Sequence, residues 1–496
     1  MSTGGTGSGV GGGRRVVVVG GGISGLAAAY ALRRDGPADL RVTVVEGADR
    51  LGGKLRVSDV GGLPVDEGAE TFLARAPEGV ALAAAVGLGG ELVHPATTAA
   101  SVVVGGVPYP LPAGTLLGVP ADAGALRASG VLDAAALAAV AAEAHAGTPP
   151  EPLGADAAVG EYVGRRLGRQ VVDRLVDPLL GGVYAGRADR LSLRATMPGL
   201  AAAVDAGPPS LTAAVRSALD AGPPSLTAAV RSALDAAGTG TGPVFATLRG
   251  GLGALPAAVA AASGAEVRLG LPVRAVERSA GGFRLIAGPV PAPTALDADA
   301  VVVAVPAGKA APLLRGLAPA AAADLAAIDY ASIAIVTLAY PAAAATTLAG
   351  SGLLVPAGEG RAVKAVTYSS VKWAHLAGAD VSVVRASVGR HGDERVLHRD
   401  DADLAALVAA DVAALTAVAG PVATRVSRWG GALPQYAVGH RDRVARIRAA
   451  VAAVPGLAVC GAAYDGVGVP ACVRSGYEAA ARVLDALSAP AAGGGH

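Results

Sequence analysis

The sequence is short of the residues that staple or metallate a protein. Its two cysteines, Cys460 and Cys472, cannot build a disulfide framework or a zinc site, and they read as small, mostly buried thiols. Seven histidines are scattered with no H-E-x-x-H or comparable ligand spacing, so no metal is expected. Aromatic residues are 3% of the chain, and much of the 52% hydrophobic content is alanine, which implies packing by small side chains. Neither sign of charge is in excess: a net charge of +1 argues against a nucleic-acid surface. Uninterrupted apolar runs are missing too. The charge-free stretch 331–356 is broken by Pro341 and several glycines, whereas a membrane-spanning helix takes about 20 apolar residues in a row. Ahead of the first strand stands a Gly/Ser/Thr tail, residues 1–13, expected to be disordered and without a signal-peptide stretch, so the chain is not expected to be exported. Glycine and proline, 71 and 33 of 496 residues, make up about a fifth, below the ~25–30% of low-complexity chains. Length and composition together predict a globular protein of two or three domains.

What is present is concentrated first between Arg14 and Arg34. Val16 to Val19 read as a short strand buried on both faces. Gly20, Gly21, Gly22, Ile23, Ser24 and Gly25 follow, with Gly20, Gly22 and Gly25 in G-x-G-x-x-G register, and the Ala/Leu run to Leu32 is strong helix former. That order places a pyrophosphate on the helix N-terminus, against free N–H groups and the positive end of the dipole. A second strand, Arg41 to Val45, ends at Glu46, where an adenosine ribose needs an acceptor. The same carboxylate repels a 2′-phosphate and argues against NADP. An ordinary βαβ unit in a glycine-rich chain would share the glycines. The strand before, the helix after and the acid at the end of the next strand favour a dinucleotide.

Arg50-Leu51-Gly52-Gly53-Lys54 is a second glycine turn with cations on either side, able to meet a phosphate or the ribityl chain. In Val65-Asp66-Glu67-Gly68-Ala69-Glu70-Thr71-Phe72, Gly68 and Ala69 are small enough to let backbone pass a flat ring, while Glu67 and Glu70 fit a site or a surface equally. A hairpin is expected over 101–112, then helices over 131–145 and 161–180, the second ended by Asp177-Pro178 and Gly181-Gly182. The fifteen residues 206–220 recur identically at 221–235; two copies are too few for a solenoid and read as a duplication in a loop that tolerates length. Beyond lie strands at 266–269, 273–277, 300–305, 331–340, 363–368, 381–388 and 457–460. A late glycine turn, Gly461 to Gly468, feeds a helix from Cys472 to Leu487.

Taken together these motifs resemble the FAD-dependent amine-oxidase/protoporphyrinogen-oxidase superfamily. The glycine fingerprint, the R-x-G-G-K turn after the ribose acid, and the glycine-rich segment running through Ser475-Gly476 all match it. Four stretches are similar to its coproporphyrinogen III oxidase branch. They are Asp177 to Gly186, Leu191 to Pro198, Lys372-Trp373-Ala374-His375, and Arg428 to His440. The likeness runs from Arg15 to about Leu487 and leaves out the tail and the duplicated block.

The resemblance implies an α/β fold with a discontinuous Rossmann-like FAD domain from 14–95, 245–310 and 455–490. It adds a mostly helical, membrane- or partner-facing domain at 96–205, a variable linker at 206–244, and a mixed-sheet substrate domain at 311–454. Non-covalent FAD would touch Gly20, Gly21, Gly22, Ile23, Ser24, Gly25, Glu46, Gly47, Arg50, Gly53, Lys54, Gly68, Ala69, Glu70, Thr71, Val273, Ala462, Val467, Gly468 and Val469. Arg75 and Lys372 are candidates to hold propionates, as Arg and Lys suit carboxylates; a solvated cation is the competing reading of each. His375 and His440 read as structural hydrogen-bonders, and no dedicated acid or base is evident. The implied reaction takes six electrons and six protons from coproporphyrinogen III, with flavin N5 as hydride acceptor and O2 giving H2O2. A cytoplasmic enzyme of haem biosynthesis follows, with peripheral contact at the inner membrane face or handover to the next enzyme left open. The competing readings are a protoporphyrinogen oxidase, an amine oxidase, a carotenoid desaturase, and a flavin-loaded module that only binds or passes on porphyrin.

Overall fold

The computed structural model describes residues 13–221 and 243–489; the tail 1–12, residues 222–242 and residues 490–496 lie outside the described residues. The expected disordered tail falls almost wholly among the latter.

One sheet organises the molecule. Strand β1 (Arg15–Val19), helix α1 (Ile23–Asp35) and strand β2 (Arg41–Val45) form a βαβ unit; β3 (Glu266–Arg268), β4 (Ala300–Val303), β5 (Leu457–Val459) and helix α2 (Val469–Ser488) come from far along the chain. The strand order is β3-β2-β1-β4-β5, all parallel. Covered on both faces, such strands are continuous apolar runs. Val16 and Val18 enter the core under α1, α2 and Ala254–Ser263. Val17 and Val19 enter the opposite core, under a three-stranded antiparallel sheet and the helices Ala307–Leu314, Pro319–Ala326 and His440–Ala452. This is a Rossmann-like layer.

The second sheet is mixed and has seven strands, in the order Ala423–Pro434, Tyr330–Pro341, Val381–Val388, Val363–Tyr368, Gly352–Leu354, Ala100–Val104, Val107–Pro110. Its one parallel pairing joins Gly352–Leu354 to Ala100–Val104. The hairpin beginning at Ala100 therefore edges this sheet, ahead of the helices that follow it. Helix Asp401–Thr416 covers one face, over Val336, Val366, Ala386 and Val388.

The helical region packs around a separate core containing Leu126, Val140, Val163, Leu175, Leu180 and Leu200. Two expectations are corrected here. The helix foreseen to end at Asp177-Pro178 does not end. Val172–Val176 form a π turn, Asp177 N–H reaches Val172 C=O, and an α segment resumes over Asp177–Tyr184 with Pro178 in its first turn. A proline lacks the N–H that a continuous helix would use, and the wide turn takes it in at a start position. The first copy of the duplicated block is no loop either. It supplies helix Leu211–Ala221, with Leu211, Ala214 and Val215 fully buried. The buried Glu143 carboxylate accepts the Leu211 N–H at 2.5 Å and the Thr212 hydroxyl at 3.1 Å, which holds the helix start. Residues 222–235 of the second copy lie outside the described residues.

Candidate active site

The fingerprint closes by backbone approach. A Cβ on Gly25 would stand 2.0 Å from the Gly20 carbonyl oxygen, and Gly20 itself has φ +113°, so both positions demand glycine. A Cβ on Gly22 would meet nothing within 4 Å, so the turn is open there. Gly22 begins α1 with no side-chain cap and no acid in the first turn. Gly468 begins α2 likewise. Two helix N-termini thus present free amides and positive dipole ends.

These termini converge. A Cβ on Gly476 of α2 would stand 2.3 Å from the Ser24 carbonyl oxygen of α1, and Lys54 acts electrostatically on the Cys472 thiol of α2. The Arg50–Lys54 turn is stitched to the fingerprint by Gly52 N–H to Gly21 C=O at 2.8 Å. Arg50 is committed to that turn, donating to the carbonyls of Leu51 at 3.0 Å and Gly53 at 2.8 Å. Lys54 has neither hydrogen bond nor ion pair among the described residues, and burial lowers its pKa. An uncompensated cation between two uncapped helix starts fits a diphosphate. At the other end of the cradle, Glu46 accepts Gly21 N–H at 2.7 Å and Ala48 N–H at 2.8 Å. Val273 is held nearby because residues 268–271 zip against Glu46 and Ala48 and Pro272 packs on Gly47. This donor set fits FAD: an acid for the ribose, amides and a lysine for the phosphates.

The 66–71 turn comes next. A Cβ on Gly68 would lie 2.1 Å from the Lys54 carbonyl oxygen, and Ala69 N–H donates to the same oxygen. Glu67 and Glu70 point away, into the second sheet. Glu67 meets Arg425 at 2.9 Å and the Ser427 hydroxyl at 3.0 Å, while Trp429 Nε1 donates to the Glu67 carbonyl at 2.8 Å. Glu70 accepts from Trp373 Nε1 and Arg385 and faces Lys372 Nζ at 3.7 Å. Burial alone would raise the Glu70 carboxyl, but Lys372 and Arg385 outweigh it and hold it down at about 2. Arg385 also donates to the Gly68 carbonyl at 2.7 Å, so the turn is pinned from behind. Lys372 is thereby half of an interior ion pair, whereas Arg75 is exposed and unpaired among the described residues. Thr71 donates to the Ala246 carbonyl at 3.0 Å.

Because directly opposed residues share a sheet face, Trp429, Ser427 and Arg385 identify the face that looks at this turn. Their register partners Ile333, Ile335, Thr367, Ser387 and Ala365 stand on it as well. Most of these are only half-buried, while Ala334, Val336, Val366 and Ala386 on the opposite face are fully covered. Helix Asp177–Tyr184 stands over this half-open face with Gly182 exposed; a Cβ there would sit 3.8 Å from the Leu354 side chain. Its last residue, Tyr184, packs 5.4 Å from Tyr436, whose hydroxyl donates to Ala462 C=O at 2.6 Å and accepts Gly466 N–H at 2.8 Å. Tyr184 and Tyr436 thereby tie the helix over the half-open sheet face to the glycine turn that leads to Val467, Gly468 and Val469. His440 stacks on Tyr436 at 4.0 Å, and burial lowers it to about 4, which makes it a neutral structural ring.

Sequence reasoning had not singled out Arg385, Tyr184, Tyr436 or Trp429 as site-forming. A lone arginine inside the apolar strand Val381–Val388 was the available signal for the first.

A family model described as flavin containing amine oxidoreductase matches residues 23–484. Coproporphyrinogen III oxidase of Mycobacterium tuberculosis is 42% identical over 97% of this chain and 99% of its own length. The Bacillus subtilis protein of the same name is 31% identical over 96% and 98%. The chloroplastic protoporphyrinogen oxidase of Oryza sativa is 28% identical over 95% and 88%. A crystal structure from Exiguobacterium sp., provisionally assigned as a protoporphyrinogen oxidase, superposes with TM-score 0.81 and 32% identity, covering 95% of this chain and 98% of that one. Cyclohexylamine oxidase from Brevibacterium oxydans, 18% identical over 96% and 100% with TM-score 0.65, shares the fold.

Proposed function

The chain belongs to the flavin containing amine oxidoreductases, and on that premise we propose that it is an FAD-dependent oxidase converting coproporphyrinogen III to coproporphyrin III. Oxygen is the acceptor, hydrogen peroxide the by-product, and haem biosynthesis in the cytoplasm the setting. The observation that carries this reading is full-length identity of 42% to a coproporphyrinogen III oxidase. The stretches with the specific likeness also meet at the cofactor turn: Gly182 and Trp429 stand at the half-open sheet face, and Trp373 holds Glu70 behind the turn.

In this reading the uncapped starts of α1 and α2 and the Lys54 ammonium hold the diphosphate, and Glu46 accepts the ribose hydroxyls. FAD stays non-covalent: both cysteines are buried and burial raises their thiol pKa values, so neither is a thiolate nucleophile. Bound flavin supplies the electron acceptor for a reaction driven by aromatisation of the macrocycle. The chain's part is placement. Ile333, Ile335, Leu354 and Gly182 offer an apolar slot for a flat ring and keep water out, and the ion pairs of Glu67 and Glu70 fix the turn at its edge. No side chain in the slot acts as a dedicated base.

An aerobic assay with coproporphyrinogen III beside protoporphyrinogen IX, following porphyrin fluorescence and peroxide together, tests the proposal. Coproporphyrin formed faster, with three peroxides per porphyrin, is the expected result. The rice and Exiguobacterium relatives favour protoporphyrinogen as the second substrate to try. Porphyrin bound but never oxidised would point to a carrier, and no action on either compound would remove the function.

A further inference from the structure

We propose that Lys364 and Arg390 form a receptor for one acidic side chain of the macrocycle, at the junction of the second sheet with helix Asp177–Tyr184. This deepens the functional reading above and rests on it. Strand Val363–Tyr368 is irregular at its start: Val363 opposes Val388, Ala365 opposes Ser387, and Lys364 is the extra residue between them. Such a bulge re-aims a side chain. Lys364 is 4% exposed, yet no hydrogen bond or ion pair reaches its ammonium among the described residues. Arg390 is beside it. Val355, just past strand Gly352–Leu354, donates its N–H to the Lys364 backbone carbonyl at 2.9 Å and takes Arg390 Nη2 on its own carbonyl at 2.6 Å, and Arg390 acts electrostatically on the Lys364 ammonium.

The charged groups around the pair do not neutralise it. Asp177 of the helix, Arg187 just after it and Asp393 in the loop of Arg390 all act on the guanidinium. Asp177 gives an oxygen to Ala188 N–H at 2.7 Å, burial raises its carboxyl, and it makes no ion pair with either cation among the described residues. Burial, with Arg390 adding to it, lowers Lys364 to about 7. A buried ammonium without an anion is costly to keep, and an arginine beside a lysine is the donor set that receives a carboxylate. The apolar slot begins at the next residue, Ala365. A macrocycle lying in that slot would bring a propionate to the pair.

The test uses FAD-loaded protein and the fluorescence titration of coproporphyrin III, with its uncharged tetramethyl ester as the control probe. Lys364→Met keeps the length and removes the charge; Arg390→Gln is the second variant, and thermal melts verify that both fold. Each is expected to weaken coproporphyrin III about tenfold or more while leaving the ester within twofold. Binding to the unsubstituted protein at pH 8 should take up a proton at Lys364, read as a buffer-dependent heat in calorimetry that Lys364→Met abolishes. Coproporphyrin affinity within twofold in both variants overturns this inference alone. Failure of the unsubstituted protein to bind coproporphyrin overturns it together with the functional reading.

Discussion

Glu46 is gripped by backbone on both sides, through Gly21 and Ala48, before any ribose arrives. That preorganisation predicts how Glu46→Ala fails. A lost charge-assisted hydrogen bond costs about 1.5–3 kcal/mol, which is about ten- to a hundredfold in FAD affinity. The rate per bound flavin should hardly move, since no contact of Glu46 changes on the way to the transition state. Titrating FAD into the apo variant separates the two effects, and turnover that stays low at saturating FAD would give Glu46 another task. His440 makes a pH prediction. Its pKa lies near 4 in the folded chain and near 6.5 when unfolded, so between those values the unfolded chain binds the extra proton. The stability that goes with neutral His440 is whole above pH 6.5 and is lost as pH falls to 4. Asp66, raised by burial to about 7, slopes the other way, gaining stability as pH falls. The comparison with His440→Phe isolates the histidine: the difference between the two proteins' melting temperatures should change across pH 6.5 to 4 and be constant above.

Helix Leu211–Ala221 illustrates what an element's sequence can and cannot announce. Its fifteen-residue block is duplicated, and removing 206–220 or 221–235 yields one and the same shorter chain. That chain keeps Leu211, Val215 and the Glu143 contact, so deletion should preserve folding and turnover. Leu211→Ala in the shortened chain, with no second copy to draw on, should cost about 2–5 kcal/mol in chemical denaturation. Equal stability would show that the helix is not part of the core. Duplication was legible in the sequence; the packing was not, because Glu143 lies 68 residues away. The same limit governs the site. Strand, glycine turn, helix and second strand at 15–46 follow from local chemistry and were readable. Arg385 and Glu70 are 315 positions apart, so each looked like an isolated charge. Strand Ala423–Pro434 escaped because Gly430 and Gly431 interrupt it and its pairing shifts register near Ile333. Pro178 misled because a proline signals a break and the π turn absorbs it.

At the scale of the molecule, the second sheet meets the turn beside the cofactor cradle through two acids, Glu67 and Glu70, each answered by arginine, and packs Ala339 and Val383 on Val60 and Val65 just before it. Among the described residues no helix is long and apolar enough to cross a membrane. The parallel sheet, meanwhile, is assembled from both ends of the chain: β5 completes its edge, and α2 packs so tightly on α1 that a Cβ on Gly476 would stand 2.3 Å from the Ser24 carbonyl oxygen. Synthesis therefore sets the order of events. A nascent chain exposes its fingerprint early but has no second helix start to close the cradle until Val469–Ser488 leaves the ribosome. Chains cut short before Leu457 lack both β5 and α2 and should come off colourless, whereas chains that include Val469–Ser488 should bind flavin and be yellow. Pigment would then mark which copies in a cell carry the second helix of the cradle.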